Sequence, residues 1–531
     1  TMVTRRSVLV AGTAGAALVL SGCSDDEPDR SSAPQPTGDT TPPPPIPNGL
    51  PDELFTIGVA SGDPLPNSVI LWTRLVSDTL DPTGGIPAEP VPVAWEVATD
   101  EKFDSVVASG FEVAEPALGH SVHADASDLL PDTWYWYRFS VGDAQSPVAR
   151  TRTMPADDAT PDKLSLAFAS CQEFNSGTYA AYGAMADDEL DLVIFLGDYI
   201  YEVGGGLMEP KVPQRVTETL DDYRVQYAAY KRNPMLQQVH HQVPWVVTWD
   251  DHEVGNNYAG DIPQEPEDPE GYDQRRIAAY QAYWEHMPIR TGPPDADGSL
   301  RIYRSVKAGT LAEFFVLDGR QYRSDQVCGD ELAVSAAECT DRLDEKGTML
   351  GADQEQWLAD GLAASTATWP VIAQQTVMFP LVLGDLVLNL DQWDGYVAAR
   401  ERLFDTIVDS GHDNVVVLSG DIHAGGASDL FVERDGKRVP VAHELVTTSI
   451  SSRSIIAELG PAVIDLVEEI AADAVYVNVE DHGYARATVT AEAWTTEFVT
   501  VANVTDDDAP ASVDATVELT AGSKQLVRAD T

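Results

Sequence analysis

The stretches LVIFLGDYIYE (residues 192–202) and NVVVLSGDIHAGG (residues 414–426) decide the fold class of this sequence. Each is a run of apolar residues, typical of a buried strand, that ends abruptly on Gly-Asp. Two carboxylates held close together repel each other unless a cation lies between them. We therefore predict that Asp198 and Asp421 end their strands beside positive charge, and that the glycine before each lets the backbone turn sharply. The alternative is two ordinary Gly-Asp turns.

Apolar runs of this kind alternate with segments of helical spacing from about residue 160 onward. The apolar runs include LSLAFAS, WVVTW, EFFVLD and WPVIAQQ, and the helical segments include DDYRVQYAAYKR and QWDGYVAARERLFDTIVDS. This alternation predicts an α/β region with a largely covered sheet. We assign it to residues 160–505 and expect residues 506–531 to form a terminal strand and tail.

Residues 53–155 have a different pattern, with short alternating strands separated by turn residues, as in SVILWTRL and VPVAWEVATD. The segment LPDTWYWY, which begins at Leu130, resembles the tyrosine corner of immunoglobulin-like and fibronectin-like sandwiches. We predict an all-β sandwich without an obvious catalytic cluster in this part of the chain.

Residues 1–23 have the pattern of an export signal. Twin arginines at positions 5 and 6 precede an apolar stretch too short to span a bilayer stably, which is typical of a Tat signal. The stretch ends in Leu-Ser-Gly-Cys, which resembles a lipobox with Cys23 as the lipidated residue. We expect an extracellular or cell-surface lipoprotein; the alternative is an ordinary signal with a chance cysteine.

The composition after the signal supports this arrangement. Residues 24–52 are rich in Pro, Ser, Thr and Asp and are expected to form a linker rather than a core. The net charge of −53 argues against a nucleic-acid polymer as a partner, because such binding needs basic patches. It also disfavours adhesion to anionic lipid, which leaves the predicted lipid anchor as the expected membrane attachment.

The chain has four cysteines, at positions 23, 171, 328 and 339. Cys328 and Cys339 are close in a polar segment and could pair in an oxidising compartment. Cys171 is then left alone, and a lone thiol in an exported protein is either buried and inert or chemically active.

Five predicted strands are followed by polar side chains. The predicted site residues among them are Cys171 after the first strand, Asp198 and Tyr201 after the second, Asp251, His252 and Asn257 after the third, Arg320 after the fourth, and Asp421 and His423 after the fifth. In open α/β sheets ligands bind at this edge, so the set predicts a metal centre. Thiolate and tyrosinate favour a strongly charged metal such as ferric iron, and the oxygen-rich, histidine-poor remainder suits calcium.

The motifs FASCQ, LGDYIYE, TWDDHEVGNNYAGD, LDGRQYR, MLGADQEQWL and LSGDIHA occur in this order along the chain. Together they resemble the PhoD-type alkaline phosphatases, a branch of the metallophosphoesterases, over about residues 53–505. The resemblance implies a calcineurin-like αββα catalytic domain behind an N-terminal β domain. It also implies a centre of Fe³⁺ and Ca²⁺ that acts on phosphate esters.

The resemblance implies a role for individual residues. The implied ligands of ferric iron are Cys171, Asp198, Tyr201 and His423, and Asp198 would also bridge to calcium. The positions implied around calcium are Asp251, Asn257 and Asp421. Asp251 takes the place of the asparagine in the superfamily's Gly-Asn-His-Glu motif, so His252 falls on the histidine of that motif.

The expected mechanism is metal-assisted hydrolysis, in which a metal-bound hydroxide or a bridging oxide attacks phosphorus in line with the leaving alcohol. His252 would stabilise the charge on the phosphoryl group or protonate the leaving oxygen. Arg320 would hold the substrate phosphate or, as the alternative, form a structural ion pair. Glu202 and Asp250 would orient the ligands.

Three functions remain in competition on the sequence alone. The first is an alkaline phosphatase and phosphodiesterase that hydrolyses phosphate mono- and diesters. The second uses the same centre on phospholipid head groups, as a phospholipase D-like diesterase. The third, a non-enzymatic surface lipoprotein, leaves the predicted ligands unexplained.

Overall fold

The computed structural model describes residues 43–203, 211–213, 215–264, 269–434, 436–460 and 462–529. The predicted signal with Cys23, and the linker up to residue 42, lie outside these ranges. Within the described parts of the chain, no helix combines the length and apolarity needed to cross a bilayer.

The strand of LVIFLGDYIYE lies near the middle of a ten-stranded sheet. It pairs in parallel with the strands before and after it in the chain, and antiparallel strands extend the sheet at both edges. With strands and helices numbered along the chain, the spatial order is β25 (Val527–Arg528), β24 (Ala511–Thr520), β23 (Ala493–Val501), β22 (His482–Val489), β9 (Leu164–Ala169), β10 (Leu192–Phe195), β11 (Trp245–Val247), β1 (Val59–Leu65), β2 (Ser68–Arg74) and β5 (Ser121–Ala126).

The strand of NVVVLSGDIHAGG lies in a second, seven-stranded sheet. Four adjacent strands of this sheet are parallel, and the strands outside them run antiparallel to their neighbours. The spatial order is β12 (Arg304–Ala308), β13 (Ala312–Val316), β15 (Trp369–Ala373), β18 (Val416–Ser419), β20 (Lys437–Val446), β19 (Gly425–Arg434) and β21 (Tyr476–Asn478).

The two sheets pack face to face, and helices cover their outer faces. In β10, Leu192 and Ile194 pack into the core between the sheets, whereas Val193 and Phe195 pack against the helices on the other side, because successive side chains of a strand point to opposite faces. Both faces are therefore apolar, which explains the continuous apolar run in the sequence.

Six of the eight α-helices in the described residues pack on the two large sheets. The first four in the chain pack on the ten-stranded sheet, and the next two pack on the seven-stranded sheet. The bounds are α1 (Ala180–Met185), α2 (Leu220–Lys231), α3 (Pro234–His240), α4 (Pro269–His286), α5 (Gly351–Ala364), α6 (Val397–Ser410), α7 (Ile455–Leu459) and α8 (Ala462–Ile470). The predicted α/β class is confirmed.

The N-terminal strands divide between two sheets. β1, β2 and β5 belong to the ten-stranded sheet, so backbone hydrogen bonds cross the predicted boundary near residues 155–160. The remaining strands form a separate sheet that shares an apolar core with them. These are β4 (Val106–Ala114), β3 (Val91–Ala98), β6 (Trp134–Val141), β7 (Ala144–Gln145) and, paired with β6, β8 (Ala149–Arg152). In the segment compared with a tyrosine corner, Leu130 donates a backbone hydrogen bond of 2.9 Å to the Tyr135 hydroxyl.

A third, smaller sheet has three strands. It consists of β14 (Ala333–Ser335), β17 (Leu386–Leu388) and β16 (Val382–Leu383). Cys328 and Cys339 form a disulfide next to it, with their Cα atoms 5.8 Å apart. The structure therefore pairs the two cysteines for which the sequence left pairing open.

Candidate metal centre

The polar residues that follow the strands of both sheets meet at one edge. Cys171, after β9, donates its backbone N–H to the Gly197 carbonyl after β10, at 3.1 Å. Ser170 forms an isolated parallel bridge with Ser449, which follows β20 of the other sheet. The carboxyl ends of both parallel sets therefore converge, as expected for a ligand site in an α/β fold.

The glycines of the two Gly-Asp turns allow this close approach. A Cβ atom on Gly197 would lie 2.4 Å from the Cβ of Asp250, and the φ angle of Gly197 is +115°. A Cβ atom on Gly420 would lie 2.4 Å from Oγ of Ser170. Any larger residue would push the strand ends apart, so glycine is required at both positions.

Five of the predicted metal ligands have left-handed backbone conformations. This conformation is uncommon for residues other than glycine and costs about 1–3 kcal/mol each when it is sparsely populated. The five φ angles lie between 50° and 67° and belong to Cys171, Asp198, Asn257, Asp421 and His423. Such a cluster is typical of a functional site, where the surrounding structure holds a strained backbone in place.

The first group of potential ligands is Cys171, Asp198 and His423, whose donor atoms all lie within 4.8 Å of one another. The Tyr201 hydroxyl lies 3.0 Å from Oδ2 of Asp198 and 3.1 Å from Nε2 of His423. Nδ1 of His423 lies 2.7 Å from the carbonyl oxygen of Arg453 and donates to it, which leaves the Nε2 lone pair for a metal. The structure thus brings together all four residues predicted to bind iron.

The second group shares Asp198 with the first. Its four members have carboxylate oxygens within 4.8 Å of one another and are Asp198, Asp250, Asp251 and Asp421. Oδ2 of Asp251 accepts a hydrogen bond of 2.6 Å from the Asn257 backbone N–H. Oδ1 of Asp251 is buried and accepts no hydrogen bond among the described residues, and the Arg320 guanidinium lies 3.5 Å from it. A buried carboxylate oxygen that accepts no hydrogen bond is available to a bound cation.

The pKa directions show that burial and mutual repulsion disfavour the charged forms of these side chains. Burial, and then the Asp198 and Asp421 carboxylates, raise the pKa of the Cys171 thiol well above its usual value. Burial and the neighbouring carboxylates likewise raise the pKa of Asp198, and that of Asp421 to about 6. Burial lowers the pKa of His423 to about 4, so its imidazole is neutral and able to bind a metal. A bound cation would stabilise the ionised thiolate and carboxylates.

His252 lies beside both groups and is oriented by two contacts. Its Nδ1 lies 2.6 Å from Oε2 of Glu202, and its ring stacks on that of Tyr201 with centroids 4.1 Å apart. Burial alone would lower its pKa, but the Glu202 and Asp251 carboxylates raise it well above the usual value. Glu202 was predicted to orient the metal ligands; its contact in the structure is with His252, which it orients and whose protonated form it stabilises.

Arg320, predicted either to hold substrate or to form an ion pair, is fully buried. Its guanidinium contacts Asp250, lies 2.8 Å from Asp391, and lies 3.5 Å from both Asp251 and Asp421. These contacts favour the ion-pair alternative, in which Arg320 holds the carboxylates of the second group in place.

Several residues of the centre were not predicted from the sequence. Ser452 donates a hydrogen bond of 2.8 Å to the Tyr201 hydroxyl, and Gln392 donates to Oδ2 of Asp421. The Glu253 carboxylate accepts backbone hydrogen bonds of 3.0 and 2.9 Å from Asp198 and Asp250, and so joins two strand ends. Ser452 and Gln392 lie in loops without a strand-ending pattern, whereas Glu253 follows His252 directly and could have been found.

The two groups differ in the metals they fit. Thiolate, tyrosinate, imidazole and carboxylate suit a strongly charged transition metal, and Mg²⁺ prefers oxygen ligands alone. The carboxylates of the second group, with the amide of Asn257 nearby, suit a hard cation that binds oxygen. The donor chemistry of the described residues therefore fits a two-metal centre that shares Asp198.

Comparisons with known proteins agree with this geometry. The family model "PhoD-like phosphatase" matches residues 166–498, and "PhoD-like phosphatase, N-terminal domain" matches residues 43–155. The chain is 44% identical over 469 residues to alkaline phosphatase D of Bacillus subtilis (strain 168), which covers 86% of this chain and 79% of that protein. It also superposes on a solved structure described as "Structure of PhoD" with a TM-score of 0.85 and 41% identity, over 90% of this chain and 92% of the other.

The comparisons agree with one another. The two family models, the relative from Bacillus subtilis and the superposed structure all indicate a PhoD-like phosphatase. The converging strand ends, the buried carboxylates and the histidine beside them agree with a hydrolase of phosphate esters. The chain belongs to the PhoD-like phosphatase family and is a phosphoesterase.

Proposed function

We propose that this phosphoesterase hydrolyses phosphate mono- and diesters at a centre of Fe³⁺ and Ca²⁺. The observation that carries the proposal is the grouping of Cys171, Asp198 and His423, of which the last two contact the Tyr201 hydroxyl, next to a group made of carboxylates alone. A thiolate beside a tyrosinate is unsuited to calcium or magnesium, whereas the carboxylate group is unsuited to a soft metal.

The first group would hold iron and the second calcium, with Asp198 between them and Asn257 beside Asp251. When bound, the two cations would neutralise the charge of the phosphate oxygens and activate water as the nucleophile. The chain's own contribution is to hold the ligands rigidly through Arg320 and Glu253 and to keep them buried.

His252 is the proposed acid for the leaving alcohol. Glu202 accepts a hydrogen bond from Nδ1, so Nε2 is the atom left to donate a proton to the leaving oxygen. The side chain of His252 is 19% exposed, more than that of Arg320, which has no exposed surface. Substrate can therefore reach His252 more readily than it can reach Arg320.

The proposal also covers how the protein is exported and how its domains are arranged. We infer a Tat-routed lipoprotein anchored through Cys23 and tethered by residues 24–52, from the twin arginines and the lipobox. The four layers formed by two sheets and their covering helices support a calcineurin-like αββα catalytic domain, and the tyrosine-corner contact supports an N-terminal β-sandwich. The acidic composition supports the absence of nucleic-acid polymers among its partners.

The test combines metal analysis with substrate comparison. Purified protein should contain iron and calcium and should hydrolyse 4-nitrophenyl phosphate and bis(4-nitrophenyl) phosphate at alkaline pH. A protein that is fully active without either metal would contradict the proposal. A higher rate on phosphatidylcholine vesicles than on both soluble esters would instead support the phospholipase D-like alternative.

A further inference from the structure

The loop that carries the Cys328–Cys339 disulfide contacts the centre at Asn257. Nδ2 of Asn257 donates to Oδ2 of Asp330 at 3.4 Å, and Nε2 of Gln326 donates to the Asn257 carbonyl oxygen. Asn257 also donates its backbone N–H to the Asp251 carboxylate. Asn257 is therefore held from one side by the metal-binding segment and from the other by the disulfide loop.

The loop has an unusual backbone at this point. Cys328, Gly329 and Asp330 all have left-handed φ angles, of 60°, 77° and 54°. Three consecutive residues in this conformation are strained, and two of them are not glycine. Such a segment persists when other contacts hold both of its ends, and here the disulfide is a covalent contact at the first residue of the three.

The disulfide joins the loop to a buried apolar cluster. Cys339 is 1% exposed and packs with Val387 of β17 and with Leu390. The residue after Leu390 is Asp391, whose carboxylate pairs with Arg320 at 2.8 Å. The apolar cluster around Cys339 is therefore next to two segments: the loop that contacts Asn257, and the segment whose Asp391 contacts Arg320.

We propose that the disulfide loop, residues 326–330, positions Asn257 for calcium, with Asp330 as the positioning residue. By accepting from Nδ2, the Asp330 carboxylate leaves the amide oxygen Oδ1 of Asn257 as the atom available to a cation. Gln264 also donates to Asp330, at 2.5 Å, and so fixes the carboxylate in turn. The inference rests on the proposed function, because it assigns calcium to this side of the centre.

The experiment measures calcium binding separately from catalysis. The calcium dissociation constant of the iron-loaded, full-length protein is determined by titration calorimetry with calcium chloride for wild type, Asp330→Ala and a Cys328→Ser/Cys339→Ser double variant. Partners of this kind typically change metal affinity 10- to 100-fold, so we expect calcium to bind at least about tenfold more weakly to both variants. Iron content should not change, because iron is proposed to bind the first group, which contains Cys171, and not the side of the centre where Asn257 lies.

Glu338→Ala is the matched control, since Glu338 is an exposed acidic residue between the two cysteines but outside residues 326–330, and the calcium affinity of this variant should equal that of wild type. Asp330→Ala keeps the disulfide, so it remains decisive if the double variant fails to fold. Normal calcium binding by Asp330→Ala would overturn this inference alone. A wild-type protein that binds no calcium would overturn the proposed cofactor and this inference with it.

Discussion

Nε2 of His423 lies 3.1 Å from the hydroxyl oxygen of Tyr201, although 222 positions separate the two residues in the chain. Each comes from a Gly-Asp turn, one in each sheet, and each lies within reach of Asp198 or Cys171. Two side chains of types that bind metals well therefore converge on one point, where a bound metal would contact both.

Replacing Cys171 by Ser should lower both iron content and activity. A serine hydroxyl is not ionised near neutral pH and is a poorer ligand for ferric iron than a thiolate. We expect iron affinity to fall at least about tenfold. Elemental analysis of the purified variant measures this directly, and a full complement of iron would remove Cys171 from the ligand set.

The iron-loaded protein should absorb visible light through charge transfer from Tyr201 to the metal. Tyr201→Phe should abolish or shift the band, because the phenolate is the donor. Tyr199→Phe is the control: Tyr199 is also buried, but its hydroxyl contacts His240 at 2.8 Å. An active protein without colour would indicate a spectroscopically silent metal such as zinc.

Removal of calcium should stop turnover, and added calcium should restore it. Calcium bound by oxygen ligands exchanges faster than iron held by a thiolate. After long incubation with EGTA, the rate on 4-nitrophenyl phosphate should fall to background while iron is retained. An unchanged rate would count against calcium in the centre.

His252→Ala should reduce the rate most for substrates with poor leaving groups, because these most need a proton on the leaving oxygen. Glu202→Gln should act in the same direction but more weakly, since it loosens the orientation of His252 without removing the ring. Rates on an alkyl phosphate, 4-nitrophenyl phosphate and bis(4-nitrophenyl) phosphate provide the comparison. An equal loss on all three would exclude the acid role.

The free energy of unfolding should rise between about pH 7 and pH 10 through Lys231. Burial lowers the pKa of Lys231 to about 7 in the folded protein, whereas an unfolded lysine has a pKa of about 10.4. Between these values the unfolded chain binds the additional proton, so raising the pH favours folding.

Lys231→Met should therefore remove part of this rise, which urea unfolding at pH 7, 8.5 and 10 would measure. Lys437→Met is the control, because Lys437 is exposed. A pH dependence that is unchanged in Lys231→Met would show that the lysine stays charged, with Trp72 and Tyr199 as its cation–π partners at 4.4 and 4.9 Å.

Local sequence determined the strands and their ends. Continuous apolar runs such as LVIFLG predicted strands covered on both faces, and the structure packs alternate residues of β10 against the helices and the second sheet. The polar residues after these runs were predicted to meet because parallel strands end at one edge of a sheet. The residues predicted to meet include Cys171, Asp198, Asp421 and His423, and the structure brings these four close together.

Only the tertiary structure decided which partner each polar side chain has. The four carboxylates around Arg320 come from three separate segments, and the serine that contacts Tyr201 comes from a loop 251 positions away. The extension of the catalytic sheet by β1, β2 and β5 likewise depends on pairing between distant strands. Strand periodicity sets which face a side chain points to, but it carries no information on which distant segment lies opposite, because that depends on how the whole core packs.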